Sequence, residues 1–146
     1  MTDEDGRVFV DTNIFVYSMD ASTPDKQVVA SQWLRSLWSS RKGRTSLQAL
    51  REFYNVVTRK TRPGLPRETA RALVRDLLTW NPADDNPVIL NSAWQVEDRY
   101  GLSFWDSLIV ASAMQQGCTV LLTEDLQHGQ VFEGLITVKN PFIPTE

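Results

Sequence analysis

Apolar positions in this chain recur in two periods, and the change from one to the other marks out its elements. Val8 to Val10 form a short, β-branched apolar run that reads as a buried strand. Asp11-Thr12-Asn13 then supplies helix-start chemistry for a brief turn over Ile14 to Ser18. Pro24 opens a second helix with Val29, Trp33, Leu37 and Trp38 as its stripe, and the basic, glycine-containing "SRKGR" ends it. Thr45 and Ser46 precede a helix to about Lys60, with Leu47, Leu50, Tyr54 and Val57 on one face. "RPGLP" breaks the chain, and Pro66 opens a helix through Trp80 carrying Ala70, Leu73, Leu77 and Leu78. After a second break at "NPADDNP", the pattern predicts helices over Val88 to Tyr100 and Ser103 to Gln116. "TVLLT", Thr119 to Thr123, is the clearest strand, and "LITV", Leu135 to Val138, is the last. Strands alternating with helices predict an α/β sandwich around a short, mostly parallel sheet. Ligands of such sheets sit at the carboxyl ends of the strands, and both Asp11 and Asp125 fall just past one.

Composition adds bounds. At 146 residues, 42% hydrophobic and with five Trp, the chain is expected to be one folded globular domain. No apolar run approaches the ~20 residues that cross a bilayer. The acidic start "MTDEDGR" lacks the positive region of a signal peptide. The one cysteine, Cys118 in "GCTVLL", reads as a small buried residue. A cytoplasmic protein with no membrane partner is expected.

Charge changes the picture more. Lys26 to Arg75 holds 12 basic residues against two acids, Glu52 and Glu68, whereas Asp76 to Glu146 holds 2 against 10. The split predicts a polyanion-facing surface beside an acidic site, or else ordinary solvated helix faces.

Four acids stand out, each with a structural alternative. Asp11 interrupts the apolar "VFVDTNIFVY", where a helix N-cap and a metal ligand are both consistent with its place. Asp106 sits in "SFWDSLIVASAM" among Phe104, Trp105, Leu108, Ile109, Val110, Ala111 and Ala113. A helix apolar all round is buried between layers, so the charge needs a partner; Ser103 three residues earlier offers a capping box instead. Glu52 lies off its helix's apolar stripe, on the side of Gln48, Asn55 and Arg59, as a surface glutamate also would. Asp125 follows a strand, where a turn aspartate is ordinary, and adjacent Glu124 leaves the choice between the two open. Together the four would repel one another in a small site unless a hard divalent cation relieved them. Such an ion can polarise a phosphoryl oxygen and activate water. There are no Cys/His pairs for zinc, no phosphate-binding glycine loop and no G-x-S-x-G; the single His128 reads as a structural loop residue.

The stretches "VFVDTNIFVY", "TSLQALREFYNVVTRK", "LSFWDSLIVASAMQQGC" and "VLLTEDLQHG", in this order, resemble the PIN-domain family, and more closely its VapC toxins of bacterial toxin–antitoxin pairs. The resemblance spans nearly the whole chain and implies one PIN domain over residues 1–146, a three-layer α/β/α sandwich. It implies a Mg²⁺- or Mn²⁺-dependent endoribonuclease with Asp11, Glu52, Asp106 and Asp125 as catalytic metal ligands. Asn13 and Thr123 would support them, and the "T-x-D" pattern selects Asp125 over Glu124. It further implies cleavage of RNA by a metal-activated water to 5′-phosphate and 3′-hydroxyl ends, a homodimer, and inhibition by a VapB-like antitoxin. Arg41, Lys42, Arg44, Arg59, Lys60 and Arg62 are candidates for RNA phosphate contact. Trp33, Trp38, Trp80 and Trp94 are candidates for exposed dimer aromatics, though core is their commoner place. Two rivals remain at this level. One is a Mg²⁺-dependent phosphatase or receiver-like phosphoacceptor using Asp11, for which Asn13 is awkward; the other is a non-catalytic interaction module whose acids are caps.

Overall fold

The computed structural model describes residues 6–144; the acidic start at residues 1–5 lies outside them. Five strands form one sheet in the order β2-β1-β3-β5-β4, with β1 (Arg7–Val10), β2 (Gly43–Arg44), β3 (Cys118–Leu122), β4 (Val131–Phe132) and β5 (Ile136–Lys139). Every pairing is parallel except that of β4 with β5.

The central strands are buried on both faces, which is why they read as unbroken apolar runs. On β1, Val8 and Val10 face one side and Phe9 the other; on β3, Val120 and Leu122 share the first side and Leu121 the second. The first side is covered by α1 (Thr12–Ser18), α2 (Pro24–Ser40), α3 (Leu47–Arg59) and α4 (Arg67–Leu77), through Ile14, Phe15, Leu37, Phe53 and Val57. The second side is covered by α5 (Pro87–Tyr100) and α6 (Phe104–Gln115), through Val96, Ile109, Val110 and Ala113. Three layers result, as expected.

Helix starts follow the side chains that cap them. Ser46, Asn86 and Ser103 each accept a backbone N–H at the third helical position, and Asp11 accepts from Thr12 at α1. Cys118 is buried, its thiol pushed up to about 12 by desolvation. His128 is structural in the sense expected, its Nδ1 accepting the Asn140 N–H at 3.0 Å.

The structure departs from the sequence pattern in four places. β2 and β4 span two residues each, too short to show a period, so "SRKGR" ends a helix and also carries a strand. Leu78 does not extend the α4 stripe; it lies in a 3₁₀ turn, Leu78–Trp80, 45% exposed. Trp105 does not join the apolar wall of α6, because it falls in the first turn beyond the sheet's cover and is 64% exposed. Trp80 is buried and Trp33 half-buried, while Trp38 and Trp94 are exposed.

Candidate active site

The carboxyl ends of β1 and β3 meet side by side. The last ladder bonds pin them: Asp11 N–H donates to Leu122 O at 3.1 Å and Thr123 N–H to Lys139 O at 3.1 Å. The chain then leaves the sheet in both places, so the side chains of Asp11 and Thr123 point into one junction. Thr123 Oγ1 donates to Asp11 Oδ2 at 2.9 Å, and Asp11 Oδ1 accepts the Thr12 N–H at 2.7 Å. Thr12 Oγ1 reaches across to Ala49 O at 2.9 Å, which fixes α3, and Glu52 with it, against the start of α1.

Asn13 clamps the second strand end. Its Nδ2 donates to Thr123 Oγ1 and to Asp125 Oδ2, both at 3.1 Å, while its Oδ1 accepts the Glu124 N–H at 3.3 Å. Asp125 is thereby turned toward Asp11. Glu124 turns the other way, accepting from Tyr17 Oη and pairing with Lys26 Nζ at 2.9 Å. The two acids that look alike in sequence are thus parted in space: Asp125 lies on the junction, and Glu124 is neutralised beside it.

None of Asp11, Glu52, Asp106 and Asp125 forms an ion pair among the described residues. Asp11 is 8% exposed, and its carboxyl is raised to about 6. Burial is the main cause; the Thr12 N–H and Thr123 hydroxyl oppose it, and the charges of Asp125 and Glu52 add to it. Asp106, half-buried at the start of α6, is also raised, by burial first and by the Asp125 charge, with the Ser103 hydroxyl opposing. The capping role at α6 belongs to Ser103, whose Oγ accepts the Asp106 N–H at 3.1 Å. Asp11 is thus the N-cap of α1 and at the same time lies under the charges of Glu52 and Asp125.

Asp11 feels the charges of Asp125 and Glu52, and Asp106 that of Asp125, yet among the described residues no three His, Cys, Asp or Glu side chains stand close enough to hold one metal ion directly. The donor set is nevertheless that of a hard cation: carboxylate oxygens only, without nitrogen or sulfur. Mg²⁺ commonly takes one or two carboxylates and keeps several waters, which suits carboxylates spaced in this way. A further acceptor lies on the same face of α3. Gln48, one turn before Glu52, has a buried Oε1 with no hydrogen-bond donor among the described residues. The sequence pattern placed Gln48 beside Glu52, but nothing in it signalled an orphaned acceptor.

The basic candidates separate into two groups. Arg59, Lys60 and Arg62 lie at and just past the end of α3, about 10 Å along the helix from Glu52 at its usual rise. Arg41 and Lys42 precede β2 and Arg44 lies in it, at the amino ends of the strands, away from the acids.

The family model described as PIN domain matches residues 8–132. Among solved structures, a toxin–antitoxin complex from Klebsiella pneumoniae is 19% identical with a TM-score of 0.66, covering 92% of this chain and 98% of that one. FitAB bound to an IR36 DNA fragment is 18% identical with a TM-score of 0.64, covering 95% and 98%. VapC20 of Mycobacterium tuberculosis, described as a sarcin-ricin loop cleaving toxin, is 20% identical with a TM-score of 0.57, covering 78% and 86%. No curated protein matches the sequence.

Proposed function

Because the chain belongs to the PIN-domain family, we propose that it is a Mg²⁺- or Mn²⁺-dependent endoribonuclease of the VapC toxin type, restrained by a small protein antitoxin. The observation that carries this reading is Asp11: a buried carboxylate without a counter-cation, under the added charge of Glu52 and Asp125, where two parallel strands end. The likeness to a toxin–antitoxin complex and to a sarcin-ricin loop cleaving toxin supports an antitoxin partner and an RNA substrate. The reading takes residues 1–146 as one PIN domain, acting in the cytoplasm. A homodimer belongs to the reading, since Leu90 and Trp94 on α5 and Trp105 at the start of α6 leave apolar surface exposed for a second copy to cover.

Asp11 and Asp106 would hold the ion, with Glu52 and Asp125 completing its surroundings directly or through water. When bound, a divalent ion polarises a phosphoryl oxygen and lowers the pKa of water near it. The protein's own part is orientation and charge. Thr123 fixes Asp11 through Oδ2, and Asn13 fixes Asp125. Arg59, Lys60 and Arg62 would attract the RNA backbone from beyond the acids. The Asn13 clamp disfavours the phosphatase reading: an amide holding Thr123, Glu124 and Asp125 in place is no second acid.

The test is RNA incubated with the purified protein and Mg²⁺ or Mn²⁺, followed by mapping of the ends. Cleavage with 5′-phosphate and 3′-hydroxyl ends that chelation abolishes is expected; no cleavage of paired or unpaired RNA with either metal would refute the reading. Within that assay the two adjacent acids should part company. Asp125→Asn is expected to lower cleavage about 10- to 100-fold. Glu124→Gln, which loses only a part-exposed pair with Lys26, should change it less than about twofold. Equal losses in both variants would remove Asp125 from its assigned place.

A further inference from the structure

The opposite end of the sheet holds a second concentration of chemistry. At the amino ends of β1 and β2, together with the end of α2, Arg7, Arg41 and Arg44 line a cleft of about 740 Å³. The guanidinium groups of Arg7 and Arg44 are steadied by backbone carbonyls. Arg7 Nη1 donates to Gln116 O at 2.8 Å, and Arg44 Nη1 donates to Gly43 O at 2.8 Å and Arg41 O at 3.1 Å. None of the three pairs with a carboxylate among the described residues. A guanidinium has five N–H donors, so most remain for a ligand.

The rest of the cleft is aromatic and amide. The Trp80 ring lies so close over Gly43 that a Cβ there would come within 2.5 Å of it. Trp38 packs on Trp80 with ring centroids 5.1 Å apart and is 43% exposed, so indole surface remains open to the cleft. In the wall, Gln116 Oε1 is buried without a hydrogen-bond donor among the described residues, while its Nε2 donates to Asn81 O at 3.3 Å. Arginines answer phosphate, and an open indole answers the flat face of a base. An acidic peptide would engage only the first of these.

We propose that this cleft is a nucleotide-binding exosite, where Arg7, Arg41 and Arg44 hold phosphate and Trp38 stacks on an unpaired base of the RNA substrate. The occupant named rests on the ribonuclease reading; the site rests on the cleft itself. Arg7 and Asp11 bound the two ends of β1, so the exosite lies about 13 Å from the acids at the rise of a strand. It would grip RNA away from the scissile bond and favour substrates long enough to reach both ends.

The experiment compares the full chain with the Arg7→Gln/Arg41→Gln/Arg44→Gln variant, using a fluorescent unpaired 20-nucleotide RNA, a trinucleotide and AMP as probes. Binding is read by anisotropy across a salt series in the presence of chelator, which prevents cleavage. The variant is expected to bind the long RNA at least about tenfold more weakly, with a salt slope shallower by about 2, as for three single-strand phosphate contacts. Its loss for the long RNA should exceed its loss for the trinucleotide by a similar factor. Trp38→Ala should weaken long-RNA binding about tenfold and Trp38→Phe should largely restore it, with melting temperature confirming that both fold. Equal salt slopes, AMP binding as tight as the long RNA, or an acidic peptide displacing it at equal concentration would each overturn the exosite. A chain that cuts no RNA but binds it through these arginines would keep the exosite and sink the nuclease. Cleavage without such binding would do the reverse.

Discussion

Asp11→Asn is expected to cut metal-dependent RNA cleavage by about 10²- to 10³-fold while leaving the fold in place, the scale seen when one oriented group that stabilises transition-state charge is removed. The substitution isolates charge from shape. An asparagine oxygen can still accept the Thr12 N–H that starts α1, so the cap and the strand end survive. What is lost is the negative charge placed at 8% exposure against Glu52 and Asp125. Asp106→Asn should fall in the same range, since its carboxyl faces the same Asp125 charge from α6. RNA cleavage rates read beside far-ultraviolet circular dichroism check both. Undiminished cleavage by folded Asp11→Asn would take Asp11 out of the chemistry and return it to the role of a cap.

How much of this could be read from the chain depends on the length of each element. β1 and β3 were legible because strands buried on both faces leave unbroken apolar runs, and the carboxyl-end rule then pointed to Asp11 and Asp125. α3 and α6 were legible through their serine caps at Ser46 and Ser103. β2 and β4 were not, because two residues have no period. Trp105 was misplaced because helical periodicity reports which face a residue shares, not where the covering layer ends. In the site, adjacent Glu124 and Asp125 look alike in sequence. What separates them is tertiary: Lys26 and Tyr17 from the first half of the chain meet Glu124, while Asn13 meets Asp125. The cleft at the other end was hidden for the same reason. Arg7, Arg41 and Arg44 converge only once β1 and β2 pair.

The largest effect on stability should come from pH, and it should be tied to the same residue. Asp11 titrates near 6 in the folded chain against 3.8 for the ordinary group, so between those values the folded state binds more protons than the unfolded one. A raised carboxyl contributes stability that is fully present below pH 3.8 and is lost as pH rises through about 6. The shift corresponds to at most about 3 kcal/mol, or about 5 to 10 °C in melting temperature for a chain of this size. Asp106 acts in the same direction, while Asp20 and Glu133, both lowered by hydrogen bonds, act in the opposite one. The informative quantity is therefore the difference between wild type and Asp11→Asn in chelator. At pH 7.5 the variant should melt higher, and below about pH 4 the advantage should vanish. Part of the gain is offset because the new amide meets the Thr123 hydroxyl, which now donates to Oδ2. Mn²⁺ should reverse the order at pH 7.5 by stabilising the wild type, through mass action worth about 2.7 kcal/mol at a hundredfold excess over its dissociation constant. That effect should fade toward pH 5, where protons compete for Asp11. A wild type whose melting temperature ignores Mn²⁺ at pH 7.5, and equals that of Asp11→Asn at every pH, would mean that the buried carboxylate is neither strained by its neighbours nor open to a cation.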